Sequence, residues 1–134
     1  MITTKTGLTT IGLVILPTPE QDKAVTFYES LGFEKRTDID MGDGYRWIEV
    51  YPPTGTTGIA LAPPPSSSCA EQGGAVVPAD TGITLNTADI DATHVAMREL
   101  GVDVDAEVAR MGEPVPPMFW FRDPTGHTLM VVEV

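Results

Sequence analysis

The chain has 134 residues, 42% of them hydrophobic and 20% charged, a globular balance that argues against disorder and allows one sizeable core. Eight Lys and Arg against 19 Asp and Glu leave a net charge of −11, which argues against nucleic acid and anionic membrane as partners. The single cysteine, Cys69, excludes an intrachain disulfide. The start MITTK lacks a secretory pattern and no segment is apolar for the length of a membrane span, so a cytoplasmic location is expected.

Residues 10–16 (TIGLVIL) form an apolar run of strand length. The tetrapeptide Thr18-Pro19-Glu20-Gln21 then reads as a helix start. Thr18 is expected to cap the first turn, Pro19 to take the first helical position and Gln21 to complete a capping box. Ala24, Phe27, Tyr28 and Leu31 recur at helical spacing, and Gly32 suits the left-handed residue that ends a helix. Strands are predicted over 33–39, 45–51 and 57–62, with a turn at Met41-Gly42-Asp43-Gly44. A Pro/Ser/Gly-rich linker follows over 63–80, too poor in apolar residues to build a packed element.

The same plan returns after the linker. A strand is predicted over 82–86. A helix capped by Asp89 or Thr87 follows, carrying Ile90, Val95, Met97 and Leu100. Strands are expected over 102–108, 118–121 and 128–134, the last two joined by the turn Asp123-Pro124-Thr125-Gly126. Leu31-Gly32 and Leu100-Gly101 lie 69 residues apart, and Pro53-Thr54-Gly55 recurs 71 residues later as Pro124-Thr125-Gly126. Anchors in a consistent order indicate duplication. One α+β domain is therefore expected, with module one over about 8–62 and module two over about 81–134.

The candidate chemistry is sparse. His94 is expected as a partly exposed helix residue, and His127 as a partner of the Asp-Pro turn. Cys69 sits in the linker with no neighbouring His, and no nucleophile elbow or phosphate loop is present. Strand alternation groups Tyr45, Trp47 and Glu49 on one face. Glu49 is therefore either a candidate general base in a concave site or a strand residue bridging Arg46 or Lys35. Tyr45, Trp47, Met111, Met118 and Trp120 suit an apolar or aromatic ligand. Arg110 and Arg122 suit an anionic group on it. The loop from Gly112 to Pro117 reads as a rigid turn or a lid.

The segments Asp22-Lys23-Ala24-Val25-Thr26-Phe27-Tyr28, Leu31-Gly32-Phe33, Asp89-Ile90-Asp91-Ala92 and Phe119-Trp120-Phe121-Arg122-Asp123-Pro124-Thr125-Gly126-His127 resemble the vicinal oxygen chelate superfamily, which includes glyoxalase I, bleomycin-resistance proteins and extradiol dioxygenases. The resemblance covers nearly the whole chain. It implies two βαβββ modules whose mixed sheets curl into a cup, a homodimer, and in metal-dependent members four His or Glu ligands. The positions it implies for them hold Leu13, a residue near Ile59, Gly82 and Met130, none a donor for zinc, nickel or iron. No metal and no cofactor are therefore expected. Two readings stand: a metal-independent binding protein with a small-molecule ligand, or a small lyase, isomerase or dioxygenase with non-standard or no metal ligands.

Overall fold

The computed structural model describes residues 6–42, 44–63 and 80–134. Most of the linker, Cys69 and Asp43 lie outside the described residues. The elements run in order β1 (Leu13–Pro17), α1 (Gln21–Ser30), β2 (Glu34–Gly42), β3 (Tyr45–Tyr51) and β4 (Gly58–Ala62). Then come β5 (Asp80–Thr87), α2 (Ile90–Glu99), β6 (Asp103–Val104), β7 (Met118–Arg122) and β8 (Thr128–Glu133). Two four-stranded sheets result, ordered β1-β4-β3-β2 and β5-β8-β7-β6. In each, the module's first strand lies parallel to its last and the other pairings are antiparallel. Each module is thus a βαβββ unit, in an α+β fold. No helix among the described residues is long and apolar enough to cross a membrane.

Both helices end in the same way. Gly32 and Gly101 adopt φ of +101° and +82°. The amides of Phe33 and Val102 reach back to the Tyr28 and Met97 carbonyls, and those of Gly32 and Gly101 to Glu29 and Arg98. This is the Schellman closure, and its left-handed residue favours glycine. At the second helix start, the Asp89 side chain accepts from the Ala92 amide at 3.1 Å.

The first helix starts differently from the expectation. Gln21 is its first residue, Glu20 is the N-cap, and no side chain caps it. Thr18 still belongs to the sheet: its amide donates to the Ala62 carbonyl, and its hydroxyl donates to Leu16. The Gln21 amide spans to the carbonyls of Arg46 and Leu61, at 2.7 Å each, and so pins α1 onto β3 and β4. A residue still in the ladder cannot turn its side chain to the helix, and the capping box fails for that reason.

One core serves both modules. Ile48, Val50, Ile59 and Leu61 of the first sheet share a buried cluster with Phe119, Phe121, Leu129 and Val131 of the second. Tyr28 of α1 and Ile90 and Met97 of α2 join it. The seam is also bonded. The Tyr28 hydroxyl donates to Asp123 Oδ2 at 2.8 Å, and His127 Nε2 donates to the Pro17 carbonyl at 2.8 Å. Asp123 Oδ1 accepts from the amides of Thr125, Gly126 and His127, which shapes the turn. Burial, with the Asp123 charge beside it, pushes the Tyr28 phenol well above its ordinary range.

Two further expectations are corrected. The strand predicted over 102–108 is reduced to Asp103–Val104, with one isolated bridge at Ala109. The inward face of α2 carries Ile90, His94 and Met97, while Val95 and Leu100 are exposed. His94 is only 7% exposed. Its ring meets Phe119 edge-on at 4.9 Å, and Nε2 donates to the Asp105 carbonyl at 2.7 Å.

Candidate functional site

Pleating gives each sheet a second row, on the side away from the shared core. In β3 this row is Tyr45, Trp47, Glu49 and Tyr51, since Ile48 and Val50 point inward. The register extends it across the sheet: Glu49 lies beside Thr37 and Ala60, Trp47 beside Ile39, and Ala60 beside Ile15. Ile15, Ile39 and Tyr45 are 56%, 50% and 39% exposed. A sheet face this apolar and this open is a candidate ligand surface.

Glu49 is the fixed point of the row. The Trp47 indole Nε1 donates to one carboxylate oxygen at 2.7 Å, and the Tyr51 hydroxyl donates to the other at 2.8 Å. These partners replace the expected bridge to Arg46 or Lys35. Arg46 instead pairs with Asp22 and Asp38, and Lys35 with Asp38. The hydrogen bond to Glu49 also raises the Tyr51 phenol above its usual value. The Arg36 guanidinium lies over the Tyr51 ring, 4.7 Å from its centroid. Gly58 makes room for that ring: a Cβ there would meet it at 2.6 Å. Tyr51 is the member of the β3 row that sequence reading missed. The signal was available, since Tyr51 continues the alternation Tyr45, Trp47, Glu49.

Module two presents the matching row. Met118, Trp120 and Arg122 alternate with the buried Phe119 and Phe121. Trp120 lies beside Met130, which lies beside Thr84. Arg122 reaches Asp103 and Asp105 at 3.0 and 2.9 Å. The other oxygen of Asp105 accepts from the Trp120 amide. Arg110 Nη2 contacts both oxygens of Asp91, at 2.6 and 2.7 Å. Both arginines are therefore charge-paired within the chain. Met111 stands exposed on the loop between β6 and β7. Among the described residues, no hydrogen bond or ring pairing links the module-one group to the module-two group.

The resemblance implies divalent-ion positions at Leu13, Gly82, Met130 and near Ile59, and the register bears on the last of them. Ile15 pairs with Ala60 as Thr84 pairs with Met130, so the counterpart of Met130 is Ala60, in the row of Glu49, and not Ile59. Leu13, Ala60, Gly82 and Met130 offer no nitrogen or oxygen side-chain donor. Among the described residues no group of three His, Cys, Asp or Glu is placed to hold a metal. These residues do not fit a zinc, nickel or iron centre.

The model of the Glyoxalase/Bleomycin resistance protein/Dioxygenase superfamily matches residues 10–131. The chain belongs to this superfamily. YetH of Bacillus subtilis (strain 168) is 30% identical over 129 residues, 92% of this chain and 97% of YetH. A superfamily member from Sphaerobacter thermophilus DSM 20745 superposes with a TM-score of 0.80 at 31% identity, covering 95% of this chain and 98% of that one. TnmS3, an antibiotic-binding protein from Streptomyces sp. CB03234, superposes with a TM-score of 0.73 at 28% identity, covering 95% and 97%.

Proposed function

We propose that this superfamily member binds a small apolar or aromatic molecule on the face built from Tyr45, Trp47, Glu49 and Tyr51, without a metal, as a cytoplasmic homodimer. The observation that carries the reading is the Trp47–Glu49–Tyr51 arrangement, an oriented polar group inside an open aromatic row. Aromatic walls supply contact area, and a single fixed carboxylate orients the ligand. The likeness to an antibiotic-binding protein supports this reading. A second copy supplies a cover for the exposed Ile15, Ile39 and Tyr45. Met118, Trp120 and Arg122, with Met111 and Arg110 on the adjoining loop, complete the proposed ligand-binding set from module two.

The alternative is a small lyase, isomerase or dioxygenase using Glu49 as a general base. It has the weaker support, because both carboxylate oxygens already accept hydrogen bonds within the chain. A thermal-shift screen of aromatic antibiotics and thiol adducts tests the binding reading. A ligand present at 100 times its Kd stabilises the fold by about 2.7 kcal/mol. Trp47→Ala is expected to weaken binding of a hit at least tenfold while leaving the unliganded melting temperature within a few degrees. Turnover of the methylglyoxal–glutathione adduct, or a stoichiometric transition metal in the purified protein, defeats the reading. A monomer at all concentrations in sedimentation defeats the dimer.

A further inference from the structure

The two modules repeat one plan, yet among the described residues their seam is hydrogen-bonded at one end and not at the other. At the bonded end Asp123 meets Tyr28, and His127 meets Pro17. The repeat names the counterparts at the other end. Pro52 stands where Asp123 stands, Met97 where Tyr28 stands, and Asn86 where Pro17 stands. The loop between β3 and β4 is one residue longer than that between β7 and β8, so Thr56 and Thr57 share the place of His127. Proline has no carboxylate, methionine no hydroxyl donor, and threonine is too short to reach across as the imidazole does. The Thr57 hydroxyl instead donates to the Ile11 carbonyl.

A cleft of about 480 Å³ occupies the place of those bonds. Pro52, Thr56, Thr57 and Asn86 all line it. Val14 and its repeat partner Ile83 contribute to its apolar wall, with Leu31 and Phe33 at the end of α1. None of Tyr45, Trp47, Glu49, Met118 and Trp120 takes part, so this cleft is separate from the aromatic face. Its lining contains no Asp, Glu, Lys, Arg or His, in a chain of net charge −11. Besides Thr57, its polar lining residues are Thr54, Thr56, Thr84, Asn86, Thr87 and Thr93.

We propose that this cleft is a second ligand site, taking an uncharged organic molecule with an apolar body and a hydrogen-bonding edge. Its volume lies in the range of small-molecule sites, about 300–1,000 Å³. A charged ligand loses part of its hydration there without gaining an opposite charge, which disfavours it. A neutral ligand bridges β5 to the loop between β3 and β4, and so supplies cross-module hydrogen bonds that the described residues lack at this end.

The test uses the full chain, labelled with nitrogen-15, and two probes of similar shape: neutral N-phenyl-1-naphthylamine and anionic 8-anilinonaphthalene-1-sulfonate. The neutral probe is expected to shift the amides of residues 54–58 and 83–87 saturably, with the anion at least tenfold weaker at those amides. Thr54→Trp and Thr56→Trp each place an indole at the mouth and are expected to weaken the neutral probe at least tenfold. Trp47→Ala leaves that affinity unchanged. Shifts confined to β3 and β7, no saturable shift in the cleft, or equal binding of the anion overturns the proposal. If one tryptophan variant loses its dispersed spectrum, the other variant and the wild-type shift map still decide.

Discussion

Replacing Tyr28 by phenylalanine tests the bonded end of the seam with a single oxygen atom. The ring stays, and with it the packing against Phe27 and Phe33 at centroid distances of 5.1 and 5.4 Å. What is lost is the donor to Asp123 Oδ2, inside a buried pair. Asp123 Oδ1 is already committed to three backbone amides of its own turn, so no spare group nearby replaces the phenol. A hydrogen bond to a charged group contributes about 1.5–3 kcal/mol, and leaving the buried acceptor unpaired puts the cost in that range. Unfolding entropy of about 2.1 cal/mol/K per residue over 134 residues makes this a fall of about 5–11 °C in Tm. Urea denaturation of the two proteins, followed by far-ultraviolet circular dichroism, gives the difference directly when the slopes agree. Tyr45→Phe, at an exposed position, serves as the control and stays within about 0.5 kcal/mol. A Tyr28→Phe loss no larger than that of the control refutes the bonded seam.

The two helix starts are expected to respond unequally. Asp89→Ala removes a side-chain cap and costs about 1 kcal/mol, whereas Glu20→Ala, which removes none, stays within about 0.5 kcal/mol; equal losses in urea contradict this assignment. Gly58→Ala drives a methyl into the Tyr51 ring, so the Glu49 clamp loses one of its two donors, and ligand affinity falls more than overall stability; unchanged affinity shows that Tyr51 plays no part. The Arg46 guanidinium and then the Lys35 ammonium hold the Asp38 carboxyl down at about 2. Its folded value lies below the unfolded one, so its contribution is complete above the ordinary carboxylate value of about 3.9 and is lost as pH falls through about 2. Arg122 depresses Asp103 in the same direction. Asp38→Asn is therefore expected to flatten the decline of the urea midpoint between pH 5 and pH 2.5, and an unaltered slope contradicts the ion-pair assignment.

The architecture was legible because the duplication marks its own corners. Gly32 and Gly101, and the turns that end in Gly55 and Gly126, bound elements whose type then follows from length and alternation. The aromatic row was legible for the same reason, since a period of two in β3 separates Tyr45, Trp47 and Glu49 from Ile48 and Val50. What escaped was settled by side chains acting on distant backbone. The run from Val102 to Val108 alternates like a strand. However, the Asp105 carboxylate takes the Trp120 amide and the Arg122 guanidinium, and the ladder stops at Val104. His94 counts as polar in any pattern, so a face built on Val95 looked better than the true one. Burial of the imidazole needed the Asp105 carbonyl, which lies 11 residues away. Thr18 carries every local mark of a cap, and only its bond to Ala62 shows that the sheet claims it first.

The strand order also governs when each module becomes complete. In both sheets the last strand made is an interior one: β4 lies between β1 and β3, and β8 between β5 and β7. During synthesis the earlier strands of a module therefore wait, with β1 and β5 lacking any sheet partner of their own. Until residues 128–133 appear, β5 is a solitary strand, and β5 and β7 have no strand between them. Chains cut before Thr128 thus leave bare the two strand edges that β8 covers, the kind of surface that recruits other chains. Quality control on a ribosome-stalled product would meet an aggregation-prone half-sheet, and not a smaller version of the finished protein.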